Sequence, residues 1–360
     1  MLLFRITAFI FLTLTSVCAS AQAVIQDWQV NVSNCAVTGN TWLASPNIGH
    51  GIDFIPAYAA ANNYGKDLLV LLTDEHANAD IRILDAANGI LLRTFATLPT
   101  GSSFREHSAL CTSEDGYIYV AGFNGTIQRY NVNGTFLGNA VTPSMYPSGA
   151  GPRVIAVTGS HTANSLKIFV ASGSNIVIFG NGTGSAVNYI GTIQTHKDGE
   201  LIVLAAAGSH VYCSSYPSPE LYYYVVNYTP FSYSNPTTVP GYTEIAKYAA
   251  DLTPSGLQFA VATAASGRGE LSMGFVNWAG DQFTAVPTIS AYDQNGNGVF
   301  DGGVNGGFYT LGASPHICIE PSGASAYAYF PHMSPSTTGF SAAITKISVS
   351  SSGIADWTVY

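Results

Sequence analysis

The residues best suited to do chemistry in this 360-residue chain fall in one short run, Asp293-Gln294-Asn295-Gly296-Asn297-Gly298-Val299-Phe300-Asp301-Gly302. Counted from Asp293, side-chain oxygens stand at positions 1, 3, 5 and 9, supplied by Asp293, Asn295, Asn297 and Asp301. Val299 at position 7 adds a backbone carbonyl, and Gly298 at position 6 permits the bend that draws such ligands together. A shell made only of oxygens suits a hard cation, so this spacing predicts a calcium site. Two of the first three ligands are neutral Asn, and Val304 stands where a bidentate carboxylate would close the shell. The expected affinity is therefore weak, suited to calcium at extracellular concentrations. The competing reading is a Gly/Asn/Asp-rich turn that needs positive φ and binds nothing.

A second set is more dispersed. Only 9% of the residues are charged, yet charged and His residues recur just before, or at the start of, a particular kind of apolar strand. They are His50 and Asp53; Arg105, Glu106 and His107; His196, Lys197, Asp198 and Glu200; Glu244 and Lys247; and His316. If those strands surround an axis, their leading loops share one face and form a polar funnel over a rigid scaffold. His50, Arg105, His107, Asp198, Lys247 and His316 are then the ligand-binding candidates. For a hydrolase or lyase, His107, Asp198, Glu200, Asp251 and His316 are the candidates to converge on a metal or a reacting atom. The alternative is that strand-leading loops are polar simply because they meet water. Asp251 stands at a repeat position held elsewhere by Cys111 and Cys318, which predicts a channel-facing or paired carboxylate. There is no G-x-S-x-G elbow, H-E-x-x-H, Walker loop or C-x-x-C.

These groups need a frame, and the frame is repetitive. An apolar strand, a tight polar turn and a second strand rich in aromatic and β-branched residues recur through the chain. Examples are HSALCTSEDGYIYVAG from His107, AVTGSHTANSLKIFVAS from Ala156, YAADLTPSGLQFAVAT from Tyr248 and HICIEPSGASAYAYF from His316. Anchored at Gly65, Gly116, Ser165, Gly208, Gly256 and Gly323, the copies lie 43 to 51 residues apart, with a last interval of 67. Third strands follow, with Asn88-Gly89 and Asn133-Gly134 at the tips expected of two-residue hairpins, where both central residues take positive φ. Four short strands per period make a propeller blade. The expected fold is all-β, a β-propeller of six blades or seven, closed by pairing of the N- and C-terminal strands. Residues 26–35 would lie beside 344–348 or 357–360. A β-sandwich does not explain so regular a recurrence.

The S/T-x-x-G-x-x-x-Y/F-V turn, as in Ser113 to Val120 and Thr253 to Val261, resembles the repeats of YVTN, NHL and quinoprotein-like propellers. The resemblance covers most of the chain and implies an architecture, not an activity. The acidic run is similar to the DxDxDG calcium loops of EF-hand, dockerin and thrombospondin type.

Residues 1–23 read as a secretory signal, with Arg5 ahead of an apolar stretch from Ile6 to Val17 and small residues at Ala19 to Ala23. One propeller domain is expected over 24–360, with a Gly/Asn/Asp-rich insertion at about 287–312. The setting is extracellular, or periplasmic in a Gram-negative host. Cys35, Cys111, Cys213 and Cys318 then allow two disulfides or four buried thiols. Five N-x-S/T sequons are about as many as the composition places by chance. A net charge of −9 with only 12 Lys and Arg leaves no basic patch, which excludes nucleic acid as a partner. No later segment is long and apolar enough to span a membrane. The 21 Tyr could stack on sugars or pack between blades. The reading is a non-catalytic exported propeller that binds a small ligand, glycan or protein on its top face, with a propeller enzyme as its rival.

Overall fold

A computed structural model describes residues 23–31, 34–44, 48–74, 79–98, 109–122, 124–147, 152, 154–180, 187–195, 200–216, 221–238, 249–252, 258–264, 271–279, 282–285, 289–290, 316–330 and 343–350. Among the strand residues, it describes the backbone alone at 23–26, 48–50, 74, 200, 202–203, 216, 330, 343 and 349–350 and throughout 249–290.

The strands form antiparallel sheets whose first strands neighbour one another in sequence order about a central axis. Blade 1 comprises Ile48–Ile55, Leu68–Asp74, Ala79–Asp85 and Leu91–Ala96. Blade 2 comprises Leu110–Thr112, Ile118–Ala121, Ile127–Tyr130 and Phe136–Val141. Blade 3 comprises Val154–Thr158, Lys167–Ser172, Asn175–Gly180 and Asn188–Gln194. Blade 4 comprises Glu200–Ala207, His210–Tyr216, Tyr222–Tyr228 and Phe231–Tyr233, with Thr237–Thr238 also paired to its third strand. Blade 5 comprises Ala249–Leu252, Gln258–Ala264, Leu271–Ala279 and Gln282–Ala285, with Ile289–Ser290 also paired to its third. A last sheet runs His316–Ile319, Ser325–Phe330, Ala343–Ser350 and then Ala23–Val30 as its outermost strand.

The expected closure of six or seven blades is corrected by this arrangement. Five blades are self-contained, each complete within consecutive strands. The last sheet is composite, having three strands of its own and borrowing its fourth from the N-terminal segment. No seventh sheet occurs among the described residues. The N- and C-terminal pairing, Ala23 opposite Ser350 through Val30 opposite Ile344, lies wholly inside the composite sheet and bridges no two sheets. Among the described residues no ladder of backbone hydrogen bonds joins blade 1 to its composite neighbour; side chains join them. Of the segments expected to pair here, 26–30 does so against 344–347, while 357–360 lies outside the described residues.

Period-two alternation explains why the second strands are apolar throughout. In blade 1, Leu68, Val70 and Leu72 pack against Leu110, Ile118 and Val120 of blade 2. The intervening Leu69 and Leu71 pack the opposite way, against Tyr327, Tyr329 and Ile344 of the composite sheet. Blade 2 repeats the scheme, with Tyr119 and Ala121 facing Ile168 and Val170 of blade 3. Blade 3 then turns Phe169 and Ala171 toward Val211 and Cys213 of blade 4. Each such strand is a core strand twice over, so a register slip of one residue would exchange its two interfaces. Tyr119, Tyr130, Tyr224, Tyr327 and Tyr329 are among the largest fully buried side chains, which makes them packing groups rather than a sugar platform. The four cysteines form no disulfide, and Cys35, Cys213 and Cys318 are buried.

The hairpin tips differ from the expectation. At Asn88-Gly89 only the glycine is left-handed, with φ +70°, and both N–H groups donate to Asp85 O. This is a type I turn followed by a left-handed glycine, the commoner solution when the loop is one residue longer. Blade 3 fills the left-handed turn position with Asn164 at φ +55°, next to the Ser165 that marks the repeat in the sequence. Gly89 also abuts the borrowed strand, where an added Cβ would lie 2.7 Å from Val30 Cγ2 and 2.9 Å from Trp28. Gly89→Ala is therefore expected to cost about 2 kcal/mol, combining left-handed strain with overpacking. Urea unfolding would show this as a lowered midpoint with unchanged slope. An unchanged midpoint would mean that the borrowed strand does not seat here.

Candidate functional site

The first strands pair on one side only, and their other edge faces the axis with N–H and C=O groups outside any ladder. Side chains from neighbouring blades satisfy some of them. Asp53, in the first strand of blade 1, accepts the N–H of Phe54 at Oδ1 (2.7 Å) and the N–H of Thr112 in blade 2 at Oδ2. The Thr112 hydroxyl returns a bond to Phe54 O at 3.0 Å. Cys111 donates its Sγ–H to Ile155 O of blade 3 at 3.1 Å. Blades 1, 2 and 3 are thus stitched around the axis by a carboxylate, a hydroxyl and a thiol.

At this level the axis widens into a cavity of about 370 Å³. One wall, from blades 1 and 2, presents Asp53, Tyr58, Cys111, Thr112, Ser113 and Glu114. From blades 3 and 4 and the composite sheet, the described lining is mostly apolar, with Ile155, Val157, Leu204, Ile317 and Ile319 beside Thr158. No Lys, Arg or His lines the cavity among the described residues. Burial pushes Asp53 up from 3.8 to about 6, against the pull of the Phe54 and Thr112 N–H groups and the Thr112 hydroxyl. The described lining residues come from the first strands of blades 1 to 4 and of the composite sheet, and from the turns that follow them.

The candidates named from the sequence separate accordingly. Arg105, Glu106, His107, His196, Lys197, Asp198, Glu244 and Lys247 lie outside the described residues, as does the calcium run from Asp293 through Asn295, Asn297 and Val299 to Asp301. His50 and Glu200 are placed by backbone in the first strands of blades 1 and 4. Asp251 lies in the first strand of blade 5, opposite Ala260. His316 starts the first strand of the composite sheet and is fully buried. Among the candidates, only Asp53 is brought to the cavity by a described side chain. Among the described residues, no three His, Cys, Asp or Glu side chains are grouped to hold a metal. Sequence reasoning passed over Ser113, Glu114 and Tyr58 because they lie in turns read as fold signature. The signal that could have found them was a carboxylate beside a serine in a turn that ends at the axis.

A neighbouring polar cluster fastens blades rather than binding. Asp115 accepts Ser113 Oγ–H at 2.6 Å and both Thr162 N–H and Oγ1–H at 2.7 Å, while its own carbonyl accepts Ala61 N–H at 2.8 Å. Burial works to raise this carboxyl, but the bonds from Ser113, Thr162 and His161 outweigh it and hold it below the usual range. Arg129 lies over the Tyr117 ring at 5.2 Å, and Tyr117 meets His161 edge-on at 5.9 Å. Asp115→Ala is expected to cost about 2 kcal/mol, because donors from two blades lose their acceptor. Chemical unfolding measures it, and a loss below about 0.5 kcal/mol would show that water substitutes for the carboxylate.

No protein-family model matches the chain, and no curated protein matches it. Among solved structures it is similar to a hydrazine synthase chain of Kuenenia stuttgartiensis, with 11% identity, TM-score 0.47 and coverage of 80% of this chain and 76% of that one. It is also similar to a Bacteroides uniformis protein described provisionally as a 6-phosphogluconolactonase, with 14% identity, TM-score 0.44 and coverage of 77% and 76%. A third is the Dos1 propeller, with 12% identity, TM-score 0.44 and coverage of 81% and 77%. Likeness at this level speaks only to fold, and the chain's own sheets already establish that fold. The chain is a β-propeller.

Proposed function

We propose that this chain is an exported, non-catalytic propeller that holds a small molecule in its central cavity, with calcium stiffening the loop at 293–304. The observation that carries the reading is the two-sided cavity. A space of about 370 Å³, lined mostly by apolar groups with its carboxylates on the side of blades 1 and 2, has the size and lining of a small-ligand pocket. The walls belong to first strands held by blade packing, so the site is preorganised and loses little ordering entropy on binding. Export is supported by the signal-like composition of residues 1–23, and calcium by the oxygen spacing of the acidic run.

The binding test is a fragment screen by thermal shift and calorimetry, repeated on Ala206→Phe, which places a ring in the cavity. Saturable ligands of the wild type should lose binding in the variant. Ligands that bind both equally would place the site elsewhere, and absence of any saturable ligand would sink the reading. Calcium is tested separately, by metal content and melts in calcium and in EDTA. One equivalent of calcium and a raised midpoint, both lost in Asp293→Ala, are expected. No bound calcium and no shift would remove it.

A further inference from the structure

Among the described residues the cavity lining carries carboxylates and no cation, and this points to the class of ligand. Asp53 uses one acceptor site of each oxygen on backbone N–H groups, and a carboxylate has about four such sites in all. Glu114 at the rim accepts Gly159 N–H at 3.2 Å and is otherwise exposed. No cation lines the cavity among the described residues. Tyr58 stands at the mouth with 78% of its surface open, although it lines the cavity. A described lining with carboxylates and no cation, an open aromatic face and a mostly apolar far side are together the features that recognise an organic cation.

We infer that the cavity takes a small organic cation, its ammonium group on Asp53 and Tyr58 and its apolar body against Ile155, Val157, Leu204 and Ile317. This rests on the reading of the cavity as a binding site. The ammonium would supply the charge that Asp53 lacks and donate to its spare acceptor sites, a charge-assisted bond in a partly desolvated place. A carboxylate ligand would meet two like charges there, and a neutral isostere would bind through the apolar wall alone. The titratable groups facing Asp53 from the described lining are Tyr58, Cys111 and Glu114. Because burial holds Asp53 near 6, the bare carboxylate is available at pH 7.5 and mostly protonated at pH 5.

The test uses three probes of one shape: cyclohexylmethylamine, cyclohexylmethanol and cyclohexanecarboxylate, titrated calorimetrically into the full protein. The amine should bind at least about tenfold more tightly than the alcohol at pH 7.5, a difference of about 1.4 kcal/mol. The carboxylate should not bind. The amine should weaken about tenfold between pH 7.5 and 5, as one unit below a pKa near 6 implies, while the alcohol should not change. Asp53→Asn should erase the preference for the amine and its pH dependence. Tyr58→Leu, which leaves the buried carboxylate in place, should weaken the amine alone by a few fold. Alcohol or carboxylate binding as well as the amine would overturn the cation and leave the cavity as a binding site. So would silence from all three probes when other fragments bind in competition with the Ala206→Phe change. Silence from every fragment would overturn both.

Discussion

Tyr329→Ala is expected to lower folding stability by about 3–5 kcal/mol, the largest effect foreseen for a single substitution in this propeller. Tyr329 is fully buried where the composite sheet meets blade 1, in one cluster with Ile52, Leu69, Leu71 and Trp42. Its ring centroid lies 5.7 Å from that of Trp42, which is itself covered by the Arg82 guanidinium at 4.6 Å. The truncation removes an aromatic ring from a junction that no backbone ladder holds, so both the transfer energy and the cavity penalty fall on the seam. Tyr329→Phe separates the ring from its hydroxyl. That hydroxyl is buried with no hydrogen-bond partner among the described residues, so its removal should be neutral or slightly stabilising. Urea unfolding of both variants is the measurement. A loss below about 1 kcal/mol for Tyr329→Ala would mean that the seam is held elsewhere.

Asp53 is expected to make stability fall as pH rises from 4 to 7.5. Its carboxyl is raised from 3.8 to about 6 by burial, so the folded chain holds this proton more tightly than the unfolded chain. The contribution is therefore fully present below the unfolded value and is lost as pH rises through about 6. A shift of about two units corresponds to about 3 kcal/mol. Asp115 acts in the opposite sense: its lowered carboxyl stabilises the fold above its unfolded value, and that contribution is lost as pH falls. The total pH profile mixes the two. The difference between wild type and Asp53→Asn isolates the first, and should decline by about 2.4 kcal/mol over this range, because pH 4 already lies just above the unfolded value. Asn offers one acceptor oxygen to two N–H donors, so the variant will be less stable at low pH whatever the titration does. The slope of the difference, not its offset, is the readout. A flat difference would show that water reaches Asp53 freely.

The two predictions share a cause. Blades meet through side chains, so the axis and the seam carry the energetic consequences of every contact that the ladders do not make. The cavity exists where first strands end and cannot pair further; its polar groups are the ones that satisfy those edges.

Much of the architecture was legible from residue types. The recurring turn identified the blade unit, and glycine at Gly65, Gly116, Gly208 and Gly323 marked left-handed turn positions because a side chain is strained there. Unbroken apolar runs such as Leu68 to Leu72 foretold strands packed on both faces. Two matters that residue types left open were decided by geometry. Whether the cysteines pair with one another depends on which blades they occupy, and no disulfide joins Cys35, Cys111, Cys213 and Cys318 to one another. Whether the tyrosines bind or pack depends on burial, and the fully buried ones, Tyr119, Tyr130, Tyr224, Tyr327 and Tyr329, pack. The cavity was the least legible feature, for a more basic reason. Charged residues are conspicuous in a chain this poor in charge, and many of them stand ahead of the first strands. Asp53 gained its raised carboxyl from the loss of water around it, against the pull of Thr112, 59 residues away. Distance along the chain carries no information about desolvation. Only the folded ring brings one blade's carboxylate to the next blade's free edge, and so turns an ordinary aspartate into a buried one near neutrality.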